Sequence, residues 1–343
     1  MSRTHQIDLK DLEDPAETSR RDTSDPETAP APRSVRVLIL AFATVYIFWG
    51  STYLAIRYGV ETIPPLVMSG TRHFVAGVVL YFFARMRGAE KPTRRQWMSA
   101  ALVGFLLLLC SNGTLAVTER ILPSSIAALL VATVSLWMVI IEWLRPGGVR
   151  PTVRIVCGLL FGFLGVIFLV SPRVPLLQAS QETVNPAAAI ALIFGSLLWA
   201  IGSVASRHID LPRSALLSAS MYALTGGAML WIAGLSGGEA SRFHLHEVSA
   251  RSWFGMIYLA IFGSIVGLTA YTYLLKHASA SQVATYAYVN PLVAVFLGWA
   301  IAGEKINAHV LLSAAVIVFS VMLVITAPHS PESDDLAQPS IPD

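Results

Sequence analysis

Ten stretches of about 20 largely apolar residues, separated by short polar connections, organise the chain between Val35 and Ala327. A bilayer core of about 30 Å is crossed by about 20 helical residues, so each stretch has the length of a membrane-spanning helix. The predicted spans are 36–57, 66–84, 97–117, 124–144, 153–171, 186–206, 214–235, 252–275, 281–302 and 307–327. Runs such as Leu102 to Leu109 are apolar throughout. A barrel strand alternates polar and apolar positions over about ten residues, so the pattern predicts helices and an all-α membrane protein with ten transmembrane helices.

Composition agrees with the pattern. Of 343 residues, 55% are hydrophobic and 13% charged, against about 25% charged in a soluble domain. Twelve of the 21 acidic residues lie before Val35 or after Ala327, leaving nine among the spans, beside 19 Lys and Arg. Those positive charges sit in short connections instead of on one face, which suits a membrane orientation signal and argues against a nucleic-acid partner. With the N-terminus inside, 15 Lys and Arg near span ends face the cytoplasm and six face the other side. The bias predicts both termini in the cytoplasm. Residues 1–34, with Pro15, Pro26, Pro30 and Pro32, and residues 328–343 read as disordered cytoplasmic tails.

The chain repeats itself. An offset of 150 aligns Trp49 with Trp199, Arg57 with Arg207, Leu66 with Leu216 and Gly77 with Gly227. An offset of 156 aligns Arg120 with Lys276, Ser125 with Ser281, Leu136 with Leu292 and Trp143 with Trp299. Residues 35–171 and 186–327 then form two five-helix repeats. Five is odd, so the second repeat crosses the membrane upside down relative to the first, as in secondary transporters.

Three stretches carry a family likeness: Trp49–Gly77 (WGSTYLAIRYGVETIPPLVMSGTRHFVAG), Leu122–Met138 (LPSSIAALLVATVSLWM) and Tyr286–Glu304 (YAYVNPLVAVFLGWAIAGE). Over its whole membrane core the chain resembles the EamA-type drug/metabolite transporters. The resemblance implies two inverted five-helix halves around a central cavity, and movement of small metabolites, often amino acids or amphipathic compounds, frequently outward. Two departures stand out. The fourth span has Ser135 where the family commonly has a proline, which predicts a missing helix break, while the ninth keeps Pro291. The family's Gly-Glu pair follows the ninth span as Gly303-Glu304, but the fourth is followed by Glu142 and Arg145.

A few polar residues inside the spans are the candidates for function. Arg72 lies about 9 Å into the second span at 1.5 Å per residue. A charge there is expensive, and either Glu119 at the end of the third span or a substrate carboxylate would relieve it; snorkelling to the interface is the other reading. Pro291 frees the carbonyl of Ala287, and Asn290 sets a polar side chain beside that weakness, so a discontinuous ninth helix could line a cavity. Tyr286 and Tyr288 point about 200° apart, so at most one faces that cavity squarely. Trp49, Ser51, Thr52, Asn112 and Trp199 complete the cavity candidates, and Glu119, Pro291 and Glu304 those for structure or gating. His73, beside Arg72, reads as a packing or hydrogen-bonding residue, and Gly158 to Gly162 as a close helix contact.

No Asp or Glu occupies the middle third of any span, so no buried proton relay is visible. Cys110 and Cys157 have no partners at metal-ligand spacing, and phosphate-loop, HExxH and GxSxG motifs are absent. No cofactor, metal or enzymatic activity is expected. The sequence predicts an inner-membrane secondary transporter exporting a small-molecule substrate, in contact with membrane lipid. A lipid translocator is the alternative and a polytopic membrane enzyme a more distant one. Oligomeric state is not readable from the sequence.

Overall fold

The structure, a computed structural model, describes residues 35–145, 152–170, 184–278 and 280–325; both predicted tails lie outside these. Ten apolar helices make up the described chain: α1 Arg36–Gly59, α2 Pro65–Met86, α3 Arg94–Thr118, α4 Ser124–Leu144, α5 Val153–Leu169, α6 Pro186–Ala205, α7 Ala215–Ser236, α8 Ala250–His277, α9 Gln282–Ala300 and α10 Ala308–Leu323. All but α5 and α10 are long and apolar enough to cross a membrane. The two shorter helices complete the ten-helix membrane protein that the hydrophobic pattern predicts.

Local chemistry sets several helix starts. Thr93 and Gln96 form a capping box at α3, Ser214 and Ser249 cap α7 and α8, and Asn185 followed by Pro186 opens α6. Two starts are capped from far away. The Glu239 carboxylate accepts from the backbone N–H of Leu66 and Val67 at 3.3 and 2.9 Å. Glu304 does the same for Ser124 and Ser125 at 2.8 and 3.1 Å. A carboxylate at a helix N-terminus meets both unpaired donors and the positive end of the helix dipole.

Packing between the halves survives their exchange. Helix α2 packs on α7, α5 on α10 and α4 on α9; α1 meets α8 and α9 as α6 meets α3 and α4. Such a pattern is that of a pseudo-two-fold axis relating α1–α5 to α6–α10. Glycines let α2 and α7 touch on that axis: a Cβ on Gly77 would lie 2.7 Å from the Leu224 nitrogen, and one on Gly227 2.6 Å from the Phe74 nitrogen. Small residues do this work in membranes, where burial of apolar area drives little because lipid is equally apolar. Gly162 similarly admits Leu136 and Ser320, joining α5 to α4 and α10.

The perimeter is apolar, with Leu40, Phe82, Leu160, Ile167, Ile190 and Phe319 exposed. Polar groups turn inward, as a protein dissolved in hydrocarbon requires. Five interruptions break the helical regularity among the described residues. Wide π turns occupy Val45–Trp49 in α1, Phe105–Asn112 in α3 and Leu259–Gly267 in α8. Helix α4 is interrupted at Ala132–Thr133. The expected loss of a break at Ser135 is therefore incorrect: Thr133 and Ser135 hydroxyls donate to the carbonyls of Leu130 and Ala132, doing locally what a proline would do. In α9 the break falls at Thr285, so Pro291 lies inside the helix that restarts at Tyr286.

Candidate functional site

The central interruptions surround a cavity with room for water-sized molecules over about 70 Å3. Its wall includes Trp49, Thr52, Tyr53, Arg72, His73, Ser111, Asn112, Val131, Trp199, Gly263, Tyr286 and Asn290, so both halves contribute. Each π turn supplies a lining residue, consistent with such turns widening a helix to re-aim side chains.

Arg72, 3% exposed, anchors the polar wall. Its Nη2 donates to Asn112 Oδ1 at 2.6 Å and its Nη1 to the Ser264 hydroxyl at 3.2 Å. His73 bridges the same two side chains, with Nε2 at 3.4 Å from Asn112 Oδ1 and Nδ1 at 3.1 Å from the Ser264 hydroxyl. A neutral imidazole satisfies the ring when Nε2–H donates to Asn112 and Nδ1 accepts from Ser264. Two hydrogen-bonding atoms stay unmet: Arg72 Nε and Asn290 Oδ1. Gly263 is small because a Cβ there would approach Thr52 and Arg72 Nη1 at 3.1 and 3.4 Å.

Another part of the wall is aromatic. Trp49 meets Trp199 edge-on at 5.5 Å and Tyr286 edge-on at 5.7 Å, and Tyr271 packs on all three rings. The tryptophan N–H groups are held by the Gly263 carbonyl at 3.1 Å and the Tyr271 hydroxyl at 3.0 Å. Trp49 and Trp199 are repeat partners, so their contact sits on the pseudo-two-fold axis.

Seven sequence candidates thus converge on the cavity: Trp49, Thr52, Arg72, Asn112, Trp199, Tyr286 and Asn290. Ser51 does not, since its hydroxyl bonds the Phe48 carbonyl and the Tyr258 hydroxyl at 2.8 and 2.6 Å. The Tyr288 side chain lies outside the described residues. Ser111 and Ser264 escaped notice because serine hydroxyls in apolar runs usually bond their own helix, and only the π turns that hold them set them apart; Tyr53, in a regular stretch of α1, carried no signal in the sequence.

One end of the bundle is tied across the two halves. Glu304, leaving α9, accepts from Ser124 and Ser125 hydroxyls at 2.7 and 2.6 Å, in addition to their backbone N–H groups, and pairs with Arg57 at 3.2 Å. Gly298 makes room, as a Cβ there would lie 2.6 Å from Glu304 Oε2. The second half is thereby fastened to α1 and α4 of the first. At the other end Arg207, the repeat partner of Arg57, donates to the Ala278 carbonyl at 3.0 Å, while Glu142 pairs with Arg145 at 3.4 Å. The two ends are unlike in chemistry as well as position.

The expected Arg72–Glu119 pair does not form. Asn112 and Ser264 take the guanidinium, and Glu119 lies seven residues beyond Asn112, about 10 Å along α3. Glu119 is 2% exposed, and neither carboxylate oxygen has a hydrogen-bond partner. No group of three metal-ligating side chains occurs among the described residues.

Like halves, a polar-and-aromatic chamber between them and an apolar perimeter define a multi-pass membrane protein of transporter architecture. The sequence profile of the EamA-like transporter family matches residues 36–171 and 186–326, and the chain belongs to that family. It is 39% identical over 294 residues to the inner membrane transporter YedA of Escherichia coli K12, covering 85% of this chain and 92% of that one. It is 23% identical over 292 residues to the chloroplastic WAT1-related protein At3g02690 of Arabidopsis thaliana, covering 84% and 69%. A solved crystal structure shares the fold at a TM-score of 0.61 and 16% identity, covering 84% of this chain and 97% of that one.

Proposed function

We propose that this transporter exports small organic metabolites, amino acids or amphipathic compounds, across a bacterial inner membrane by alternating access between its two inverted halves. The cavity carries this reading, because it sits between the halves and joins a charged wall to an aromatic one. Arg72 Nε offers a donor suited to a carboxylate, and Asn290 Oδ1 an acceptor suited to an ammonium or amide N–H. Trp49, Trp199 and Tyr286 offer ring faces to an apolar side chain by dispersion, which tolerates many shapes. The arginine bias of the connections supports cytoplasmic termini, with the Glu304 end facing outward and closed.

Purified protein in liposomes, offered labelled amino acids and small amphiphiles with and without a pH gradient, tests the reading. A carboxylate-bearing solute is expected to cross, and Arg72→Ala to reduce its flux about 10- to 100-fold, the equivalent of losing one charge-assisted hydrogen bond of about 1.5–3 kcal/mol. Movement of labelled lipid with no solute flux would overturn it in favour of a lipid translocator.

A further inference from the structure

Glu119 is the one buried carboxylate of this end that the Glu304 clamp leaves without a partner among the described residues. The charged and titratable groups around it are Tyr53 and Arg57 from α1, Arg72 from α2 and Glu304 from the turn after α9. Both arginines are committed elsewhere: Arg57 to Glu304, and Arg72 to Asn112 and Ser264. The backbone amide of Arg57 approaches Glu119 without completing a hydrogen bond. An ionised carboxylate so placed would have neither water nor a counter-ion of its own, and two carboxylates would then compete for Arg57. The neutral acid avoids both penalties.

We propose that Glu119 is a proton-binding site on the outward-facing gate, occupied while the Glu304 clamp is closed and emptied to the external water as the clamp opens. The inference rests on the alternating-access reading above. With a proton on Glu119, Arg57 and Glu304 balance and the clamp holds. Loss of that proton sets a second negative charge beside Glu304, draws Arg57 toward it and loosens the grip on Ser124 and Ser125. Burial, reinforced by Glu304, pushes the Glu119 carboxyl well above the usual carboxylate range in the closed state, against the pull of Arg57 and Arg72. The closed state therefore holds the proton more tightly than a hydrated open state, so closure is favoured in acid and the balance moves toward open as pH rises from the ordinary carboxylate range to the raised value. Because the proton enters and leaves on one face, the site senses external pH without carrying protons across.

The test uses full-length protein with Cys110→Ala and Cys157→Ala, and a reporter Ser111→Cys on the cavity wall. A membrane-impermeant maleimide is applied to right-side-out vesicles across external pH 5–9. Rates are divided by those of a protein carrying Ser241→Cys, an exposed loop position at the same end, which cancels the pH dependence of thiol chemistry. The ratio is expected to rise with pH, by at most about tenfold per unit for one linked proton. Glu119→Gln should be low and flat, and Glu119→Asp should keep a slope. A flat ratio in protein with native Glu119, or an unchanged slope in Glu119→Gln, overturns the proton site while leaving alternating access standing. Labelling of the reporter from neither membrane face, in right-side-out or inverted vesicles, overturns alternating access and the proposal with it.

Discussion

Arg72 shows how a single charge is kept inside a membrane. Its guanidinium meets amide and hydroxyl oxygens and no carboxylate, so the cavity retains a net positive wall. Replacing Asn112 with Asp would place a counter-ion on it: flux of anionic solutes should fall while the protein becomes more heat-stable in detergent, and equal loss for neutral solutes would contradict a charge-based role. Gly267 makes a separate point, since a Cβ there would lie 2.3 Å from Trp49 Nε1. Gly267→Ala should displace the indole, cost about 1–3 kcal/mol by overpacking and alter solute preference, readable from melting temperature and competition assays. The sequence made Arg72, Asn112 and Asn290 legible because a polar residue in an apolar run stands out. Arg72's partner was not legible, because the choice between Asn112 and Glu119 depends on helix register, which the π turn in α3 sets.

Among the elements, the spans were legible to within a few residues, since a bilayer imposes both length and composition. The breaks were not. Helix α4 opens at Ala132–Thr133 by hydroxyl-to-carbonyl bonds that look like ordinary Thr and Ser in sequence, and α9 opens at Thr285, two turns before the proline that signals a break. Pro291→Ala would restore a donor to Ala287 and remove a ring clash, worth up to about 3 kcal/mol in a helix interior. The variant should melt higher and transport more slowly; unchanged flux would mean that the backbone donor missing at Pro291, as distinct from the break at Thr285, has no part in the cycle. Glu304→Ala acts on another element boundary, leaving the buried Ser124 and Ser125 donors of α4 unmet at about 1–3 kcal/mol each and the half-exposed Arg57 without its carboxylate. Lower stability together with faster external labelling of the Ser111→Cys reporter is expected, and slower labelling would contradict a clamp.

At the scale of the whole molecule, the two halves repeat in sequence, in contacts and in the meeting of Trp49 with Trp199, yet they differ at their ends. Carboxylates of the second half cap α2 and α4 at one end; at the other, Lys276 and Arg207 bind backbone carbonyls. This asymmetry was hidden in the alignment, which pairs Arg57 with Arg207 and is silent about what each one grips. Orientation is checkable from the same sites: Ser241→Cys should react with impermeant reagent from outside the cell, and a cysteine at Glu90 should not. The reverse would invert the assignment of the gate.

The glycine contact between α2 and α7 has a mechanical consequence. If the halves exchange shapes during the cycle, whatever lies on the axis relating them is the same before and after, so Gly77 and Gly227 behave as an axle while the rim turns. A bulkier residue there should slow traffic in both directions by the same factor, leaving the ratio of outward to inward flux untouched, whereas a lesion at either rim should tilt that ratio.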